Sequence, residues 1–209
     1  MACLQRPPDG GRARGGDNAA VPLSPSIASS PGPGRSTPAA PAPIRLQGLA
    51  PVVTPGTVLL VLGSFPGARS LAQQQYYAHP QNHFWKILQA LWPQHALPAA
   101  DEADGYARRC AWLLERGLGL WDVYASCTRS GSLDSAIRDA VPNDIAALAL
   151  PRLAAIAHNG AESFRHARHM AALGVPVHRL PSTSPANASW SFARKLEAWR
   201  AVVAAQGLI

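Results

Sequence analysis

The chain has 209 residues, of which 47% are hydrophobic, enough for one sizeable core and, at this length, one domain more readily than two. Nineteen Lys and Arg against twelve Asp and Glu give a formal charge of +7, which fits a polyanionic partner such as nucleic acid or simply a basic protein. No run approaches the ~20 apolar residues that span a bilayer, and three widely spaced cysteines build neither a disulfide framework nor a metal signature, so the expectation is a soluble cytoplasmic protein with no membrane partner.

Residues 1–43 hold nine of the twenty prolines and six of the seventeen glycines, with few apolar residues between them. Such a segment buries too little surface to offset its ordering entropy, and it reads as a disordered Pro/Gly-rich tail. It carries four Arg and two Asp, which leaves +5 for the body, residues 44–209.

The body alternates strand and helix patterns. The continuous apolar run Val58-Leu59-Leu60-Val61-Leu62 predicts a strand over 57–62, buried on both faces. A short helical turn follows over 68–75. A firmer helix spans 83–92, where Phe84, Ile87, Leu88, Leu91 and Trp92 recur at helical spacing. Another helix covers 103–117 and ends at Gly117. A second strand is predicted over 119–124, then mostly loop over 127–141 and a short helix to 150 capped by Asn143. A third strand over 153–157 turns through His158-Asn159-Gly160 into a helix over 161–172. A fourth strand spans 175–180, and an amphipathic helix over 189–205 closes the chain, with Trp190, Ala193, Leu196, Trp199, Val202 and Val203 inward. The alternation predicts an α/β domain, a three-layer α/β/α sandwich with a central four-stranded parallel sheet.

The chemistry gathers behind the first strand. Gly63-Ser64-Phe65-Pro66-Gly67 forms a turn in which backbone can approach a ligand closely. Tyr76, Tyr77, His79 and Asn82 follow, too much aromatic and polar chemistry for an ordinary connector at the carboxyl end of a central strand. Tyr77 can stack on a nucleobase or pack in the core. Asn82 can act on a ligand or cap the next helix, and His79 can meet a phosphate or brace its loop. Asp122 ends the second strand among apolar residues. A carboxylate there needs a partner, either the N–H of a bound base or an arginine such as Arg129. The late loop from Pro181 to Ser189 offers small hydroxyls and backbone donors that suit a phosphate, or a mere helix cap. Dinucleotide and triphosphate fingerprints are absent, as is a Gly-x-Ser-x-Gly elbow. His166 and His169 stand three apart with no third ligand, so no metal is expected.

The strand followed by Gly-x-x-Pro-Gly, then Tyr-Ala-His-Pro-x-Asn-x-Phe-Trp and a late Ser-Pro-Ala-Asn loop, resembles the uracil-DNA glycosylase superfamily. It is most similar to the superfamily's hypoxanthine-DNA glycosylase branch, and the likeness covers about 56–205. Phe65 stands where relatives acting on mismatched bases carry a water-positioning Asn or Asp, and a phenyl ring cannot orient water. In the branch it resembles, the Asn of His-Pro-x-Asn is implicated in catalysis, here Asn82. The resemblance assigns base stacking to Tyr77 and the base edge to Asp122. It assigns the DNA backbone and the emptied stack to Ser184, Pro185 and Asn187. Gly63, Ser64 and Phe65 are expected to border the base, and Pro66, Gly67 and His79 the DNA.

The resemblance implies excision of a deaminated base from DNA, hypoxanthine first among them, by a cofactor-free monomer that leaves an abasic site. The body's only lysines are Lys86 and Lys195, and neither looks like a strand-cleaving nucleophile. Uracil or xanthine as the base, or a lesion-binding module without catalysis, are the alternatives.

Overall fold

The computed structural model describes residues 44–209, and the tail expected over 1–43 lies outside the described residues. The chain begins with β1 (Arg45–Gln47), β2 (Leu59–Gly63), α1 (Ala68–Gln73), α2 (Phe84–Leu91) and α3 (Gly105–Leu114). It continues through β3 (Leu118–Asp122), β4 (Tyr124–Thr128), β5 (Arg138–Pro142) and β6 (Ala155–Asn159). It ends with α4 (Ala161–Phe164), α5 (Ala167–Ala171), β7 (Val177–Leu180) and α6 (Phe192–Ala205). Four strands form a sheet in the order β3-β2-β6-β7, with every pairing parallel, as the alternation of elements predicts.

All five residues of β2 are buried, because a neighbour lies on each side and a layer on each face. Successive side chains of a strand point to opposite faces, so the uninterrupted apolar run feeds two cores. Leu59 and Val61 join Leu118, Leu120, Ala155 and Ala157 on one face, while Leu60, Leu62 and Ile156 share the other. Phe84, Ile87 and Leu88 of α2, Trp112 and Leu113 of α3, and Trp199 and Val203 of α6 cover the first face. Each such side chain contributes about 1.5–3 kcal/mol by leaving water. Phe84 meets Trp199 edge-on at 5.7 Å between centroids, which ties α2 to α6. Met170 of α5, Ile145, and Cys127 of β4 cover the second face.

The structure departs from expectation mainly between 119 and 172. The expected strand over 119–124 splits at Val123. β3 stops at Asp122, and β4 leaves for a small antiparallel sheet in the order β1-β4-β5. Residues expected as loop therefore include β5. Its residues are mostly exposed and end in Pro142, so an edge strand of this kind carries no apolar alternation to read.

The short helix expected to 150 reduces to a 3-10 turn over Ala146–Leu148. Asn143 does not cap it. Its amide donates to the Asp122 carbonyl at 2.9 Å, while Asp144 accepts from the Ala147 amide at 3.2 Å. The helix over 161–172 breaks into α4 and α5. The third strand runs two residues further than expected, which puts His158 and Asn159 in the sheet. The last helix starts after Ser191, whose hydroxyl accepts from the Arg194 amide, and not at Ser189, so Trp190 lies ahead of it and Ala193, expected inward, is exposed in its first turn.

After β2 the chain adds β3 on one side and later β6 on the other. The loops leaving the carboxyl ends of these strands diverge there, and a crevice opens between them.

Candidate active site

That crevice is a cavity of about 1100 Å³. Every residue expected to touch base or DNA borders it. Gly63, Ser64, Phe65, Pro66 and Gly67 come from the loop after β2, and Tyr77, His79 and Asn82 from the loop before α2. Asp122 comes from the end of β3, and Ser184, Pro185 and Asn187 from the loop after β7. The fold thus gathers four separate stretches of chain around one volume.

At its floor Asp122 pairs in register with Gly63 and is only 4% exposed. A Cβ added to Gly63 would lie 2.3 Å from Asp122 Oδ1 and 3.4 Å from the Tyr77 hydroxyl. The missing side chain is what lets carboxylate and phenol converge. Asp122 Oδ2 is buried with no hydrogen-bond partner. The pairing with Arg129 does not form, since the guanidinium lies over the Phe65 ring, 5.1 Å from its centroid, and donates to the Pro66 carbonyl. Burial pushes the Asp122 carboxyl up to about 7, the negative charge of Asp134 adds to this, and Arg129 partly offsets it. Near neutral pH such a group can both accept and donate hydrogen bonds.

Tyr77 adopts a left-handed backbone, φ +56°, a conformation that a bulky residue takes only when its surroundings hold it there. Its ring stacks on Phe84 at 4.1 Å, so the core-packing role is real on one flank, and the rest of the side chain borders the cavity. The Tyr77 hydroxyl accepts from Asn159 Nδ2 at 3.0 Å. The same amide donates to Thr183 Oγ1 at 2.9 Å, and Asn159 Oδ1 accepts from the Thr183 backbone at 2.9 Å. One buried carboxamide at the end of β6 therefore ties the loop before α2 to the loop after β7. In the sequence Asn159 looks like no more than part of a turn. The signal was an Asn closing an apolar run directly before Gly160, which has φ +115°.

Asn82, one residue ahead of the N-cap His83, does serve the start of α2, its Oδ1 accepting from the Phe84 amide at 2.9 Å. A carboxamide oxygen has two lone pairs, so capping leaves one for the cavity. His79 is exposed and braces its loop, its Nδ1 accepting from Gln81 at 3.2 Å and its carbonyl from Asn82 at 2.8 Å.

The loop after β2 is held from above. Ser64 Oγ donates to Asp134 Oδ1 at 2.6 Å, and the Ala68 amide donates to Ser132 Oγ at 2.9 Å. The amides of Ser64 and Phe65 form no hydrogen bond among the described residues. In the late loop Asn187 donates to the Ser182 carbonyl at 3.0 Å. Lys195, 1% exposed, reaches the Ser184 carbonyl at 3.5 Å, and burial lowers its pKa. Among the described residues no helix is long and apolar enough to cross a membrane, and no cluster of three His, Cys, Asp or Glu could hold a metal.

The family model of the uracil DNA glycosylase superfamily matches residues 50–203. A hypoxanthine DNA glycosylase of Methanosarcina acetivorans is 34% identical over 158 residues, 75% of this chain and 96% of the relative. One of Methanosarcina barkeri is 33% identical over 146 residues, 69% of this chain and 89% of the relative. A solution NMR structure from Methanosarcina acetivorans, provisionally named a uracil DNA glycosylase, superposes with a TM-score of 0.67 at 33% identity and covers 78% of this chain and 99% of its own. Match and fold agree, and the chain belongs to the uracil DNA glycosylase superfamily.

Proposed function

We propose that this protein is a monofunctional DNA glycosylase, a monomer of the cytoplasm, that flips deoxyinosine out of duplex DNA and hydrolyses its glycosidic bond, releasing hypoxanthine and leaving an abasic site. The observation that carries this reading is the convergence of Gly63, Tyr77, Asn82 and Asp122 on one cavity, in a chain whose curated relatives are named hypoxanthine DNA glycosylases.

The sugar–base bond is shielded within the stack, so the nucleotide must leave it, at a cost of a few kcal/mol that is smaller for a mispaired base. Pro66, Gly67, His79 and the late loop at Ser184, Pro185 and Asn187 lie along the backbone of the strand. The base enters beside Tyr77 with its edge toward Asp122. As the bond breaks, positive charge builds on the sugar and negative charge on the base. The free amides of Ser64 and Phe65 can face that negative charge, as can a protonated Asp122. Asn82 holds a water by its remaining lone pair. The water's oxygen joins the anomeric carbon, and its proton leaves with the base. Lys195 is committed to the late loop and Lys86 does not border this cavity, so among the described residues no lysine is placed to attack the sugar and cleave the strand.

Incubation with an inosine-containing duplex, chromatography of released base and alkali treatment test this directly. Free hypoxanthine and alkali-labile ends at the lesion are expected, with smaller yields from uracil and xanthine duplexes. Tight lesion binding with no released base would replace the enzyme by a binding module.

A further inference from the structure

We propose that a second cavity, bordered by α1, α2 and α3, takes phosphates of the lesion strand beside the flipped nucleotide. The choice of DNA as the anion rests on the glycosylase reading. This cavity measures about 930 Å³. It shares the loop before α2 with the first cavity, and Arg69, Tyr77, His79 and Asn82 border both.

Each of the three helices brings one cation to it. Arg69 and Gln73 come from α1, one turn apart, Lys86 from α2, and Tyr106 and Arg109 from α3, three residues apart. Asp101 is the one acidic residue of the lining, and among the described residues none of the three cations pairs with a carboxylate. Arg69 and Lys86 are exposed. Arg109 is half-buried, its guanidinium 5.6 Å from the Trp85 ring centroid and its Nε donating to the Pro98 carbonyl at 2.6 Å. That bond leaves both terminal amino groups to donate elsewhere. The Tyr106 hydroxyl accepts from the Tyr76 amide at 3.0 Å, which fixes the shared loop to α3.

Three positive groups around one volume repel one another in the free protein, and a single carboxylate offsets only part of this. A run of phosphates relieves the repulsion at each linkage. A nucleotide in the first cavity leaves its strand at the rim, where Arg69 and His79 lead into the second. Contacts of this kind hold phosphate and read no sequence, which suits an enzyme that must bind whatever surrounds its lesion.

Anisotropy titration of an inosine duplex over a salt series tests the assignment on wild type, Lys86→Gln and Lys86→Gln/Arg109→Gln. The slope of log Kd against log salt should fall by about 1 for the single variant and about 2 for the double. Lys86→Glu should weaken binding further than Lys86→Gln, and the exposed Lys86 variants should melt like wild type. Methylphosphonates placed at one linkage at a time beside the lesion then locate the contact. One position should weaken wild type and leave Lys86→Gln unaffected. Slopes unchanged in both variants would overturn the assignment. So would inosine monophosphate, the free phosphate ester, raising the melting temperature of wild type but not of Lys86→Gln while the slopes stay equal, for the cavity would then hold a free nucleotide. Lower slopes in a protein that releases no base would overturn the glycosylase reading and leave the phosphate site standing, whereas hypoxanthine release with equal slopes would do the reverse.

Discussion

Oδ1 of Asp122 occupies the place where a side chain on residue 63 would be, 2.3 Å from the position of an added Cβ. The glycine is what permits a carboxyl, a phenol and the backbone of the loop after β2 to share the floor of the cavity. The run Leu-Leu-Val-Leu-Gly thus encodes both a central strand and the space beside its last residue.

Gly63→Ala should therefore abolish base excision while the fold persists. The methyl group must push Asp122 off the cavity floor, and crowding in a packed interior costs about 1–3 kcal/mol. Thermal unfolding and single-turnover excision measured together check this. A variant with a normal rate would show that the Asp122–Gly63 contact does not shape the base site.

The raised pKa of Asp122 carries a sign. Its folded value of about 7 lies above the ordinary carboxylate value of 3.8, so the folded protein holds the proton more tightly than the unfolded chain. Stability is fully present below pH 4 for this group and falls as pH rises toward and through 7. Asp122→Asn should gain stability relative to wild type between pH 5 and 8, by up to a few kcal/mol. A neutral carboxyl can donate to the departing base, so wild-type excision should also fall above pH 7, while the amide of the Asn variant should flatten that limb. Parallel pH profiles for the two proteins would contradict both statements.

Asn159→Ala should destabilise by about 1–3 kcal/mol, because it leaves the buried Thr183 amide without its acceptor. Excision should slow as well, since the loop after β7 loses its anchor at Thr183. Tyr77→Phe, which removes only the hydroxyl, should be mild in both respects. If Asn159→Ala melts like wild type and excises normally, the tether between the two loops has no weight.

The parallel sheet and most of the residues that border the cavity were legible because each had a local signature. β2 is a continuous apolar run, α2 has helical spacing, and the stretch from Tyr76 to Asn82 is dense in polar and aromatic groups. Asn159 was not legible because its role depends on Tyr77 and Thr183, which are brought to it only by the fold. The second sheet was missed for a related reason. Its strands β1 and β5 are short, exposed edges, and Val123, where the chain changes sheets, looks like any strand residue. By its charge Arg129 is a candidate partner of Asp122 in the sequence. The ring of Phe65 and the carbonyl of Pro66 hold it instead, a choice no spacing rule records.

The central claim is that Asn82 acts on the sugar and does not merely cap α2. The most direct measurement is the single-turnover release of hypoxanthine from an inosine duplex by wild type, Asn82→Ala and Asn82→Asp, alongside their melting temperatures. As a cap alone, Asn82 is worth about 0.5–2 kcal/mol, and aspartate replaces it well. Asn82→Ala should bind the lesion duplex but release base slower by orders of magnitude, well beyond its loss of stability, and Asn82→Asp should melt normally with a shifted rate. An Asn82→Ala protein that releases hypoxanthine at the wild-type rate would contradict the claim.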